Sequence, residues 1–243
     1  MKLRLVLFLI FVLIITALNP KEVMAQETKN VQMESRLATI YKQNIDISYL
    51  LYLPKNYESG EKFPLVLFLH GSGERGTDQN LVKKHGLPKL IEQGKDFPFI
   101  VVSPQCPLNV RWDTKALISL VDELIEKLNV DEKRIYVTGL SMGGNGTWRL
   151  ISEIPERIAA AIPICGWGDA FEICNARNVS IWAFHGAKDM VVPVAATQQL
   201  IDRLKYCSGK AEFTIYDELD HDSWTITYEN EKIYEWLLEK TLP

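Results

Sequence analysis

Arg134-Ile-Tyr-Val-Thr-Gly139-Leu-Ser141-Met-Gly143-Gly144 reads as a β-strand that runs directly into a Gly-x-Ser-x-Gly turn and then into a helical stretch ending near Ile151. A serine strained between strand and helix needs glycines two residues before and two after it, because neighbouring backbones must approach closely there. The turn points the serine hydroxyl at solvent above the strand end, and the helix N-terminus beneath it favours developing negative charge. Ser141 is therefore the candidate nucleophile.

Outward from this segment, apolar runs bounded by turn residues recur at Leu37–Tyr41, Ile47–Leu53, Phe63–Leu69, Phe99–Ser103, Ile135–Thr138, Ala159–Ile164, Ile181–Phe184 and Phe213–Tyr216. The first two, separated by Lys42-Gln43-Asn44, predict an antiparallel hairpin. From Phe63 onward the runs are mostly unbroken, as in strands buried on both faces of a parallel sheet. Helical spacing appears between them, at Leu117, Leu120, Val121, Leu124, Ile125 and Leu128, at Leu200, Ile201 and Leu204, and at Ile233, Trp236 and Leu237. The expected fold is α/β, a mostly parallel sheet with an N-terminal antiparallel hairpin and helices on both faces.

A serine hydroxyl attacks only when a base takes its proton, and that base needs a carboxylate behind it. Of four histidines, His221 follows the last strand candidate in a loop that can hang over the sheet edge, whereas His70 and His185 each end a strand in His-Gly and suit buried roles bonded to nearby backbone. His85 is expected at the surface. Asp189 follows the penultimate strand, and Asp169, Asp217, Asp220 and Asp222 read as capping or solvated carboxylates. The chain order Ser141, Asp189, His221 is that of an α/β-hydrolase. A tetrahedral oxyanion would need two backbone N–H donors, expected from Met142 after the nucleophile and from Ser72 in the glycine-rich segment Leu69–Gly76. That segment lacks the Lys-Ser/Thr of a phosphate loop. Such chemistry calls for no cofactor and no metal, and the four cysteines lack the paired spacing of a zinc site.

Seven stretches carry a family resemblance: His-Gly-Ser-Gly-Glu-Arg-Gly (70–76), Ser-Pro-Gln-Cys-Pro (103–107), Trp112-Asp113, Gly-Leu-Ser-Met-Gly-Gly (139–144), Cys-Gly-Trp-Gly (165–168), Trp-Ala-Phe-His-Gly-Ala-Lys-Asp (182–189) and His-Asp-Ser-Trp (221–224). From about Leu50 to Leu238 the chain resembles the secreted α/β-hydrolase esterases near carbohydrate esterase family one. Those include feruloyl esterases, polyhydroxybutyrate-depolymerase-like esterases, and relatives described as prolyl-oligopeptidase-like or phospholipase/carboxylesterase. The resemblance implies Ser141, Asp189 and His221 as triad and Ser72 with Met142 as oxyanion donors, and it places the hairpin as support at the sheet edge.

Between Ile164 and Ile181 the chain is too short for a large helical cap, so an open cleft is expected, suited to a short acyl or feruloyl group on a polysaccharide. Trp112 and Trp167 are candidates for its aromatic wall, and Gly71 is a further candidate for substrate contact; Trp148 suits core packing as well. A prolyl-oligopeptidase-like peptidase is the alternative enzyme, and a non-catalytic binding protein of the same fold the alternative outside enzymes.

Length and composition agree with one domain. The 243 residues are 47% hydrophobic, enough for one sizeable core, and the net charge of −4 argues against nucleic acid as partner. After Lys2 and Arg4, the uncharged run Leu5–Ile15 is too short to span a bilayer, and Asn19-Pro20 and Val23-Met24-Ala25 follow. This predicts a signal peptide over residues 1–25, cleaved after Ala25, a catalytic domain over 26–243, a secreted or periplasmic location, and no stable membrane anchor. Cys106, Cys165, Cys174 and Cys207 could then form disulfides, and Cys165 with Cys174 are close enough in sequence to bridge a short loop; buried thiols are the other reading.

Overall fold

The computed structural model describes residues 45–243, and the seven apolar runs inside them all form strands. These are β1 (Tyr49–Tyr52), β2 (Phe63–Leu69), β3 (Ile100–Pro104), β4 (Val130–Leu140), β5 (Ala160–Ile164), β6 (Ser180–Gly186) and β7 (Ala211–Tyr216). The expected signal peptide and the first hairpin strand, Leu37–Tyr41, lie outside the described residues. The strands make one sheet in the order β1-β3-β2-β4-β5-β6-β7, parallel throughout except that β1 runs antiparallel to β3, with Tyr49 opposite Pro104 and Tyr52 opposite Val101. β4 begins earlier than hydrophobicity suggests. Val130 pairs with Phe63, the register shifts across the polar stretch Asp131–Arg134, and Ile135 then pairs with Leu65.

Helices cover both faces: α1 (Gly86–Glu92), α2 (Thr114–Lys127), α3 (Met142–Glu153), α4 (Ala195–Tyr206), α5 (Trp224–Glu229) and α6 (Lys232–Leu238). The alternation of β2 shows how one run serves two cores. Leu65, Leu67 and Leu69 pack with Leu117 and Leu124 of α2, Trp148 and Leu150 of α3, and Leu200 of α4. Val66 and Phe68 pack on the opposite face with Leu87 of α1, Tyr228 of α5 and Ile233 and Leu237 of α6. Asp113 caps α2 by accepting from the Lys115 amide at 2.9 Å.

Topology places the site. From β2 the chain winds outward to β3 and then returns to β4 on the other side of β2, so strand order reverses between β2 and β4. Crevices at the carboxyl ends of strands form at such a reversal. Leu69 and Gly139 are paired neighbours there, which brings the segments following β2 and β4 together.

Candidate active site

Ser141 joins β4 to α3 with φ 54° and ψ −113°, a strained conformation for a residue with a side chain. Its amide donates to Ile164 O at 2.9 Å. The flanking glycines meet each other: a Cβ on Gly139 would lie 2.5 Å from Gly143 O, and one on Gly143 would overlap the carbonyl oxygen of Leu69. The turn can form only if both positions lack side chains.

His221 Nε2 lies 2.9 Å from Ser141 Oγ, and its Nδ1 lies 2.7 Å from Asp189 Oδ2. The loops that carry the imidazole and the carboxylate are tied by Lys188 N donating to Leu219 O at 2.9 Å. Asp189 is buried, and its Oδ1 accepts from the amides of Val191 and Val192 at 2.8 and 2.9 Å. Burial alone would raise this carboxyl, but the hydrogen bonds from His221, Val192 and Val191 outweigh it and hold the group below the usual carboxylate range. The serine, imidazole and carboxylate thus form a connected chain in which a proton on Ser141 has an acceptor, and the resulting imidazolium a buried anion.

A second histidine shares that anion, a contact absent from the sequence reading. His185 is fully buried, with Nε2 3.1 Å from Asp189 Oδ2 and 2.8 Å from Val192 O. Both neighbours are acceptors, so Nε2 carries the proton. Trp224 stands edge-on to His221, with ring centroids 5.3 Å apart, and it also meets His85.

The segment after β2 is held by the residues that carry the sequence resemblance. His70 donates from Nδ1 to Gly71 O at 2.6 Å, its Nε2 accepts from Cys106 N at 3.0 Å, and its carbonyl accepts from Trp112 Nε1 at 3.1 Å. Burial pushes the His70 imidazole down to about 4, so the ring is neutral at pH 7, as an accepting Nε2 requires. Gln105 donates to the carbonyls of Glu74 and Asp78, and Arg75 donates to Ser72 O, each at 2.9 Å. Ser72 opens a short helical turn, Ser72–Glu74, and Met142 opens α3; amides at helix starts have no intrahelical acceptor. Gly71 is buried against the elbow, and a Cβ there would lie 2.9 Å from Leu140 Cδ1.

Two expectations are corrected. Trp112 does not line a cleft: it is 2% exposed and packs in the core, where its indole is fixed by the hydrogen bond to His70 O. Nor do Cys165 and Cys174 pair. Cys174 bridges Cys207 at a Cα separation of 5.7 Å, joining the short helical turn Ile173–Asn178 to the end of α4, while Cys165 is a buried free thiol. Trp167 is half-buried and faces a surface hollow. Trp148 lies in the core. Between β5 and β6 there is a loop and one helical turn, with no inserted cap.

Cys165 Sγ lies with Asp189 and His221 in a group whose potential ligand atoms are all within 4.8 Å of one another. Burial raises the Cys165 thiol, leaving it protonated and a poor ligand, and His221 Nδ1 is already committed to Asp189. The group is better described as a serine, histidine and aspartate backed by a thiol.

The sheet order and helical layers define an α/β-hydrolase. The phospholipase/carboxylesterase family model matches residues 109–237, more than half of the chain, and an esterase family model matches residues 42–167. The chain belongs to the phospholipase/carboxylesterase family. Among curated proteins it is similar to the bifunctional acetylxylan esterase/xylanase XynS20E of Neocallimastix patriciarum, 31% identical over 173 residues, which are 67% of this chain and 25% of that protein. It is also similar to feruloyl esterase D of Neurospora crassa, 27% identical over 178 residues, 66% of this chain and 59% of that one. The chain therefore spans between a quarter and about three fifths of these two relatives. Among solved structures, a thermostable esterase is 38% identical with a TM-score of 0.71, covering 82% of this chain and 60% of its own. No helix among the described residues is long and apolar enough to cross a membrane.

Proposed function

We propose that the protein is a secreted serine carboxylesterase that forms an acyl-enzyme on short acyl or feruloyl esters of plant polysaccharide. The observation that carries this reading is the connected set Ser141 Oγ, His221 and Asp189, with separations of 2.9 and 2.7 Å, on a strained elbow. In the reaction so read, His221 Nε2 takes the Ser141 proton as Oγ bonds to the ester carbonyl carbon. The resulting oxyanion is held by the Ser72 and Met142 amides. Collapse breaks the bond to the alcohol, which leaves with the proton from His221. Water, deprotonated by the same imidazole, then attacks the acyl-enzyme and releases the acid and Ser141.

Family membership and the esterase names of the relatives support ester over amide substrates, and the uncapped site supports a bulky alcohol. The Cys174–Cys207 disulfide supports export to an oxidising compartment. The test is a panel of a short aryl acetate, methyl ferulate, acetylated xylan and a prolyl peptide, with Ser141→Ala as control. Hydrolysis of the esters, abolished in the variant, is expected. Preferential cleavage of the peptide, or ester hydrolysis at the wild-type rate by the variant, would overturn the reading.

A further inference from the structure

A hollow of about 520 Å³ opens beside the nucleophile helix, and every element lining it leaves the same sheet edge as Ser141. Arg111 comes from the segment after β3, Asn145 and Arg149 from α3, Trp167 and Phe171 from the loop after β5, and Gln199 from α4. At the helical rise of 1.5 Å per residue, Asn145 and Arg149 lie about 6 and 12 Å along α3 from Ser141. Asn145 ties the near wall together: its amide donates to Ser141 O at 3.0 Å, and its Nδ2 donates to Trp167 O at 2.8 Å.

Three features of this wall bear on what the hollow can hold. Phe171 is 88% exposed, yet its turn is fixed by Asp169 Oδ1 accepting its amide at 2.7 Å, and the Cys174–Cys207 bridge anchors the next turn. With Trp167 it gives the hollow two aromatic side chains. Arg111 lies over the Trp167 ring at 5.5 Å, and Arg149 donates to Trp112 O at 2.8 Å. Neither forms an ion pair among the described residues, in contrast to Arg134 with Asp131 and Arg157 with Asp122. Finally, the carboxylates of Asp169 and Glu172 share the lining, so groups of both signs stand in it beside two aromatic side chains.

We propose that this hollow is the subsite for the alcohol half of the substrate, and that it binds a carbohydrate chain on the leaving-group side of Ser141. A sugar ring offers an apolar face to Trp167 and Phe171 and a rim of hydroxyls, each both donor and acceptor, to the guanidinium groups and Glu172. A wholly apolar acyl group placed there would instead strip water from four charged groups without replacing it. The proposal rests on the esterase reading above and adds where the polysaccharide runs.

The test compares kcat/KM for an acetylated xylo-oligosaccharide with that for 4-nitrophenyl acetate, in the wild type, Phe171→Ala and Arg111→Gln. Phe171 is almost fully exposed, so its truncation leaves the fold intact. The wild type is expected to prefer the oligosaccharide, and each variant to lose about tenfold of that preference, about 1.4 kcal/mol. An unchanged ratio, or an equal fall on both substrates, would overturn the proposal. A wild type that cleaves the aryl ester with no preference for the oligosaccharide would also overturn it while leaving the esterase reading in place. A wild type that cleaves neither removes the esterase reading and this one with it.

Discussion

His185 and His221 share one oxygen of Asp189: His185 Nε2 lies 3.1 Å from the same Oδ2 that His221 Nδ1 approaches at 2.7 Å. One carboxylate oxygen is thus held between two imidazoles while two backbone amides hold the other. A carboxylate fixed at four points cannot swing, so the ring of His221 inherits its orientation. Replacing His185 by Phe removes one of these donors and leaves the buried hydroxyl of Thr197, 2.9 Å from His185 Nδ1, without its ring partner. The expected loss is about 1–3 kcal/mol of stability, together with a lower kcat, read by denaturant unfolding and steady-state kinetics. Wild-type values of both in His185→Phe would show that the second histidine does not position Asp189.

Asp189→Asn keeps the shape of the acid but removes the anion. The amide offers Nδ2–H as well as an acceptor, so His221 can no longer be held in the tautomer that leaves Nε2 free to accept. A fall in kcat of about 10³- to 10⁴-fold is expected, with little change in the thermal midpoint beyond what loss of the charged hydrogen bonds causes. Activity within tenfold of wild type would exclude Asp189 as the orienting acid.

Stability should fall on acidification in two stages. His70, held neutral in the fold at about 4 against an ordinary value near 6.5, makes the unfolded chain the better proton binder between those values. Its contribution is therefore intact above pH 6.5 and declines as pH drops to about 4, by about 3 kcal/mol in all. Burial lowers His185 as well and acts with the same sign. The carboxyl of Asp189 is depressed, so its contribution persists at higher pH and is lost only as pH falls below the ordinary carboxylate range. Urea unfolding at pH 7, 5.5 and 4 measures the first of these stages. A flat profile across that interval would contradict the neutral, hydrogen-bonded His70.

The disulfide closes a 33-residue separation. On chain-entropy grounds its removal in Cys174→Ser with Cys207→Ser costs about 3–4 kcal/mol, seen as a lower thermal midpoint. An unchanged midpoint, together with free-thiol labelling of Cys174 in the oxidised wild type, would show that the bridge is absent.

How far these features can be read from the chain depends on whether their cause is local. β2, β3, β5 and β6 are legible because strands largely buried on both faces are mostly apolar, and the elbow is legible because its steric demand falls on Gly139 and Gly143, four residues apart. Chain order then places Asp189 and His221 beside Ser141. The start of β4 is hidden by Asp131–Arg134, polar residues at a register shift. α5, with six residues, is too short to show a helical period, and α1 is masked by Gly86 and Pro88 in its first turn. Trp112 looks like a loop residue because its neighbours are polar, yet its indole is needed beneath His70. The pairing of Cys174 with Cys207, and that of His185 with Asp189, arise where separate segments meet in space, and spacing in sequence does not report such meetings.

The role of Ser141 as the nucleophile of a serine esterase is tested most directly by treating the folded protein with a fluorophosphonate and locating the adduct by peptide mass spectrometry. A single adduct on Ser141, formed as esterase activity disappears and absent from His221→Ala, is the predicted result. An adduct on another residue, or full activity with Ser141 unmodified, would contradict it.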